Sequence, residues 1–434
     1  MSLKRTLVKN TTLNLVGYFY VAIGSIVSVP ILLSKLGPDS FGVYLLFSGL
    51  IPLAVSADFG LSTATIRRLS LPKTTKGERF KIWQSSLFLF LVNAVIISAI
   101  FFLISILFLS NIQALAPLGN TELIRTSLLV SLIVFINYLV VHALSLPQAR
   151  QNFLAYNLYP LIVGSGNTIL PALLVQFFPN IQAIFLLRLS MYFLLFTILV
   201  IYAYRYFKKN PLLPSFNKSS SKSLLSFGVK HFIGNLSNQL QNQFSRYAIG
   251  DFLSAGAVSI FTVPHQIIVN ASGAISQATL AFFPMSTSLS TKERLPKLRK
   301  LILGLESLIL IVGAIQVFLV YKWGEPVLVW WLKDPQFAGQ AFEVLKILSW
   351  YFLITTLTPI PGAVLNSINK PHIPSIFAVL TTIITIGIII YLTPLLGATG
   401  PAYALVISSL ITVPIFLLTF LITFNRFQAK INST

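Results

Sequence analysis

Stretches of about 20 apolar residues, the length a helix needs to cross a bilayer core, recur from one end of this 434-residue chain to the other. Twelve can be drawn, at roughly 11–33, 41–63, 83–109, 122–146, 156–178, 183–204, 226–250, 257–285, 301–321, 341–365, 375–392 and 401–424. None alternates apolar and polar residues as a barrel strand would. A mean hydropathy of +0.83 leaves too little polar surface to solvate a folded core of this size. The sequence predicts an all-α integral membrane protein. No cleavage pattern follows the first run, which is expected to remain as a span.

The net charge of +21 would fit a nucleic-acid binder, but its placement argues against that. Lys and Arg gather at the N-terminus (Lys4, Arg5, Lys9) and after even-numbered spans. Residues 64–82 hold Arg67, Arg68, Lys73, Lys76, Arg79 and Lys81; residues 205–224 and 286–300 hold five cations each. The opposite loops offer only Lys35, Lys322 and Lys333 beside several acids. Basic loops stay cytoplasmic, so both termini are expected there, in a cell or inner membrane, with attraction to anionic membrane lipids as a further effect. Cysteine is absent, and the four histidines show no metal-ligand spacing. No loop has room for a catalytic domain. The longest outer one, 322–340, carries Trp323, Trp330 and Trp331 and reads as an interfacial belt or a short helix on the membrane.

Residues 231–246 (HFIGNLSNQLQNQFSR) break the apolar rule. At ~100° per residue, His231, Asn235, Asn238, Gln239, Asn242 and Arg246 fall within one arc of a helix, opposite Phe232, Ile233, Leu236, Leu240 and Phe244. Hydrocarbon cannot satisfy amides, so this arc must meet protein or water. Two acids also lie inside spans. Asp58 and Glu306 are candidates for coupling to H⁺ or Na⁺. Alternatively, Asp58 caps a helix break before Gly60, and Glu306 reaches the inner interface. The segments 157–171 (NLYPLIVGSGNTILP) and 355–362 (TTLTPIPG) predict broken helices.

The two halves of the chain are faintly alike. Val8-Lys9 with Asn14 lines up with Val229-Lys230 and Asn235, and the segment 36–44 parallels 253–261, at nearly the same offset, about half the chain. The expected organisation is an N-terminal six-helix bundle (1–207), a basic cytoplasmic linker (208–224) and a C-terminal six-helix bundle (225–434). Parallel repeats of this kind commonly enclose a central site.

Several passages resemble a known family. The opening VKNTTLNLVGYFYVAIGSIVSVPILLSKLGPDSFGVYLL, with its turn LGPDSFGVY, resembles the first two helices of polysaccharide (O-antigen-type) flippases. The likeness continues in ADFGLSTATIRRLS, FFPMSTSLSTKERLPKLRK, FAGQAFEVLKILSWYFLITTL, LNSINKPHIPS and YLTPLLGATGPAYALVISSL. The resemblance implies the multidrug/oligosaccharidyl-lipid/polysaccharide exporter superfamily, in which two six-helix bundles form a V-shaped central cavity. It also implies a non-enzymatic flippase moving undecaprenyl-pyrophosphate-linked oligosaccharides from the inner to the outer leaflet by alternating access.

Such a substrate asks for amides to meet sugar hydroxyls and cations to meet pyrophosphate. His231, Asn235, Asn238, Gln239 and Asn242 suit the sugar. Arg246, Lys230, Arg67 and Arg68 suit the pyrophosphate, although each cation could instead anchor a helix end at the interface. The amides could also glue helices together. Arg125 and Arg188, near outer ends, read chiefly as anchors, and His265 as a packed histidine. No cofactor is expected beyond a coupling ion. Polysaccharide polymerase and glycosyltransferases are candidate partners; nucleic acid is not. The rival readings are a multidrug or toxin exporter of the same superfamily and, from another class, a membrane glycosyltransferase or polymerase.

Overall fold

The computed structural model describes residues 3–71, 74–208, 210–289 and 295–433. Among these, every regular element is a helix. In chain order they are α1 (Leu3–Ser56), α2 (Leu61–Leu69), α3 (Lys76–Leu107), α4 (Asn120–Ala149), α5 (Phe153–Tyr156), α6 (Leu158–Asn167), α7 (Ile169–Leu174) and α8 (Ile181–Tyr206). There follow α9 (Lys218–Phe252), α10 (Ala255–Leu289), α11 (Leu295–Leu332), α12 (Pro335–Thr355), α13 (Pro359–Ser367), α14 (His372–Leu396) and α15 (Gly400–Ser433).

Among the described residues, eight helical segments are long and apolar enough to cross a membrane. Two of them, Leu13–Ser56 and His372–Ala429, each contain two passages. The first parts at Gly37 (φ 76°, ψ 162°), a conformation open essentially to glycine alone; Pro38 then begins the next helix because the residue before a proline is kept out of the α region. The second parts at Gly397 (φ 61°, ψ −140°). The two other expected spans lack a continuous apolar helix for opposite reasons. Residues 156–178 are divided among α5, α6 and α7, and residues 226–250 belong to α9, whose amides dilute its apolar content. With these two and the two double segments, the described residues form twelve helical passages, and the chain is a multi-pass membrane protein.

The segment 322–340, expected as an outer loop, is not a loop. α11 runs through Pro326 to Leu332, and only Lys333 and Asp334 connect it to α12. Gly324, Glu325 and Pro326 look like a turn signal, but a proline inside a membrane helix is tolerated where neighbours absorb the freed carbonyl. The stop comes instead from Lys333 in the left-handed region (φ 58°) and from Asp334, whose carboxylate accepts from the Phe337 N–H at 3.0 Å to cap α12. Trp323 and Trp330 stand exposed on this helical extension, in keeping with a belt.

The helices gather into two compact units, Met1–Gln243 and Phe244–Thr434, so the division falls within α9. In the first unit α4 is the hub, packed against α1, α2, α3 and α8. Its centre is buried on nearly every side (Val130, Ile133, Val134, Tyr138, Val140), as a helix ringed by neighbours must be. In the second unit α12 is the hub, packed against α10, α11 and α15, and α14 packs against α15. Both hubs are the fourth passage of their half. Residues 213–216, ahead of α9, are pinned to α3: Gln84 donates to the Leu213 carbonyl at 3.0 Å, its own carbonyl accepts from the Ser215 N–H at 3.3 Å, and Phe216 packs on Phe88.

Candidate functional site

α9 carries the polar arc as one continuous helix. Asn238 is exposed, and Gln239 and Asn242 are half-buried, whereas Gln243 at the edge of the arc and Ser237 on the other side are buried. Three amides are thus open to whatever medium faces them. Amides used as interhelical glue would be closed off. Arg246 ends the same arc and is only 8% exposed, so it does not snorkel out. The side chains of Lys230, His231 and Asn235 lie outside the described residues.

Arg246 lies within electrostatic range of His265 on α10. His265 is fully buried and stacks on Phe261 at 5.2 Å, with both ring nitrogens lacking a hydrogen-bond partner among the described residues. Burying an imidazole with both nitrogens unused is costly. A polar molecule entering beside it would recover that cost. The lone-histidine pattern in the sequence gave no hint of this.

Asp58 is a cap. α1 stops at Ser56, and the chain turns through Phe59 (φ 50°) and Gly60 (φ 70°) before α2. One Asp58 carboxylate oxygen accepts from the Gly60 N–H at 2.7 Å and the other from the Ser62 N–H at 3.1 Å. The carbonyls freed by the break also find donors. The Tyr138 hydroxyl donates to Ala54 at 2.7 Å and the Asn93 amide to Ala57 at 3.2 Å. A break at membrane depth is tolerable only where backbone groups find such partners. Arg67 (exposed) and Arg68 (half-buried) follow in the last turn of α2, where cations complement the helix dipole.

Glu306 has a different setting. It lies on the buried face of α11, between Ile302 and Ile309, and Leu305 and Ile309 pack against the apolar cluster shared with α13 and α15. Its Oε1 is buried and has no hydrogen-bond partner among the described residues. α11 begins eleven residues earlier, so Glu306 does not sit at a helix end.

Arg188 departs most from its sequence reading as an interfacial anchor. It is 5% exposed, donates to Asn167 Oδ1 at 2.8 Å and Ser48 Oγ at 2.7 Å, and lies against the rings of Phe185 (5.3 Å) and Tyr44 (5.9 Å). It ties α1, the broken end of α6 and α8 together. Arg125 is exposed, as an anchor is. The same seam holds other polar contacts that the sequence did not single out: Asn157 donates to Asn14 at 3.2 Å, and Tyr20 and Ser165 hydroxyls meet at 2.6 Å. These contacts support the predicted break in 157–171, where the Thr168 hydroxyl also returns to the Gly164 carbonyl at 2.8 Å.

Comparison with known proteins places these features. Residues 7–290 match the family described as polysaccharide biosynthesis protein. A relative from Shigella flexneri, named "Putative O-antigen transporter", is 22% identical over 92% of this chain and 93% of its own length. Among solved structures, an inward-facing multidrug resistance MATE family transporter of the MOP superfamily aligns with a TM-score of 0.77 at 16% identity, covering 96% of each chain. Lipid II flippase MurJ in an inward closed conformation aligns with a TM-score of 0.70 at 14% identity, covering 98% of this chain and 89% of that one. At such identities these structures establish the fold alone, which this chain shares with both transporters.

Proposed function

We propose that this chain, which belongs to the polysaccharide biosynthesis protein family, moves a lipid-linked oligosaccharide across the bilayer by alternating access and makes or breaks no covalent bond. The observation that carries this reading is the open amide arc of Asn238, Gln239 and Asn242, ending on buried Arg246. An amide both donates and accepts, so a row of them can exchange hydrogen bonds with successive sugar hydroxyls without fixing one orientation. Arg246 offers a planar fork to pyrophosphate oxygens, and His265, buried in the same unit, offers a second nitrogen donor. Arg67, Arg68 and Lys230 gather the anionic headgroup at the end where the basic segments cluster. Both termini and the 208–224 linker belong on the cytoplasmic side, and each six-passage half acts as one rocking body. The relative named as an O-antigen transporter supports this substrate class. Polysaccharide polymerase and glycosyltransferases are the partners such a step would need on either side of it.

Glu306 is the preferred coupling residue, for H⁺ or Na⁺. An acid in an apolar surround responds to ion occupancy, whereas both Asp58 oxygens are held by backbone N–H groups. Purified protein in liposomes loaded with polyprenyl-pyrophosphate oligosaccharide tests the reading. Oligosaccharide should become accessible to an external glycosidase with its linkages unchanged. New glycosidic bonds would replace the reading with a polymerase, and transport of amphipathic cations without oligosaccharide movement would replace it with an exporter.

A further inference from the structure

At the end of the first unit that bears the basic segments, α3, α4 and α8 border an open groove of about 640 Å³. Lys76, Arg150 and Arg205 stand around it, and among the described residues no acid lines it. The nearest acid in sequence, Glu78, is engaged with the backbone and hydroxyl of Thr75 in the capping box of α3.

The cations are held on aromatic rings. Lys76 Nζ lies 4.9 Å from the centre of the Tyr206 ring, and the Arg150 guanidinium lies 4.2 Å from the same ring. Arg150 also donates to the Tyr202 hydroxyl at 2.8 Å, which accepts from Asn152 at 3.3 Å as well. With its lone pairs so occupied, the Tyr202 O–H is left to donate. The helix dipole accounts for Arg150 and Arg205, which sit at the C-terminal ends of α4 and α8. It does not account for Lys76, which is the first residue of α3, where the dipole disfavours a cation. Two positive groups sharing one ring, with a third beside them, are best relieved by a bound anion. One to two turns deeper along the same face of α8, the wall becomes apolar at Ile198 and Ile201.

We propose that this pocket binds the phosphate of an anionic phospholipid from the surrounding bilayer, with one acyl chain lying along Ile198 and Ile201. Cations and tyrosines at the interface above an apolar wall match the layered chemistry of such a lipid. The site is distinct from the amide arc and does not depend on the identity of the transported molecule.

Native mass spectrometry of the full chain, titrated with phosphatidylglycerol or phosphatidylcholine of the same acyl length, tests this. Phosphatidylglycerol should bind preferentially. Lys76→Gln and Arg205→Gln, both at exposed positions, should each weaken it by roughly fivefold, and Arg205→Lys should restore most of the loss. Equal binding of the two lipids to the wild-type chain would overturn the proposal without reference to any variant. So would displacement by inorganic phosphate at equal concentration, which would mark a free-anion site, or preference for farnesyl pyrophosphate, which would make the pocket a capture point for the transported lipid.

Discussion

Two intramembrane acids look equivalent in the sequence and are separated by their surroundings. Asp58 is consumed by the helix break it caps; Glu306 lies among Leu305, Ile309 and the α13–α15 cluster. Glu306→Gln should therefore remove the dependence of transport on the ion gradient, while Asp58→Asn, which keeps an acceptor for one cap, should preserve it. Transport assays with imposed proton and sodium gradients check both, and a gradient response lost in Asp58→Asn alone would reverse the assignment. Arg188 makes a second residue-scale case. Its partners Ser48 and Asn167 are far from it in sequence, so no local pattern could reveal that it is buried. Removing one member of a buried polar cluster strands the others, at about 1–3 kcal/mol for each unsatisfied group. Arg188→Ala should lower the thermal unfolding midpoint clearly. Arg188→Lys should recover only part, because an ammonium cannot present the same two-pronged donor to Ser48 and Asn167.

At the scale of the element, the helices were legible because about 20 apolar residues in a row have few other uses, and the breaks at 157–171 and 355–362 were legible from Pro and Gly. The end of the ninth span was misread: residues 322–332, read as part of a loop, continue α11 through Gly324-Glu325-Pro326, and the true stop is the two-residue link Lys333-Asp334. Turn chemistry is a local rule, and tertiary packing overrode it. Gly37 gives a clean test of where local rules do hold. A Cβ there would meet nothing within 4 Å, so the cost of Gly37→Ala is purely the backbone conformation, about 1–3 kcal/mol. It should lower stability without affecting packing elsewhere, as followed by thermal unfolding in detergent. Tyr138→Phe removes one of the two hydrogen bonds that the Ala54 carbonyl accepts at the α1–α2 break, leaving the one from the Ala57 N–H, and should cost about 1 kcal/mol by the same measurement. An unchanged midpoint in either variant would contradict the assigned role.

For the whole molecule, the packing order repeats: the fourth passage is the hub of each unit, and the second, third and sixth passages pack against it. That order could not be read from a single sequence, because it depends on which apolar faces meet and nearly every face here is apolar. The polar arc could be read, because amides are conspicuous where lipid would otherwise be the solvent. What it faces decides the account. The chain contains no cysteine, so single substitutions Asn238→Cys, Gln239→Cys and Asn242→Cys can each be probed without background. In membrane vesicles the account predicts that all three react with a charged, membrane-impermeant thiol reagent, and that added lipid-linked oligosaccharide slows the reaction. Labelling only by a lipid-soluble reagent, or no labelling at all, would contradict it.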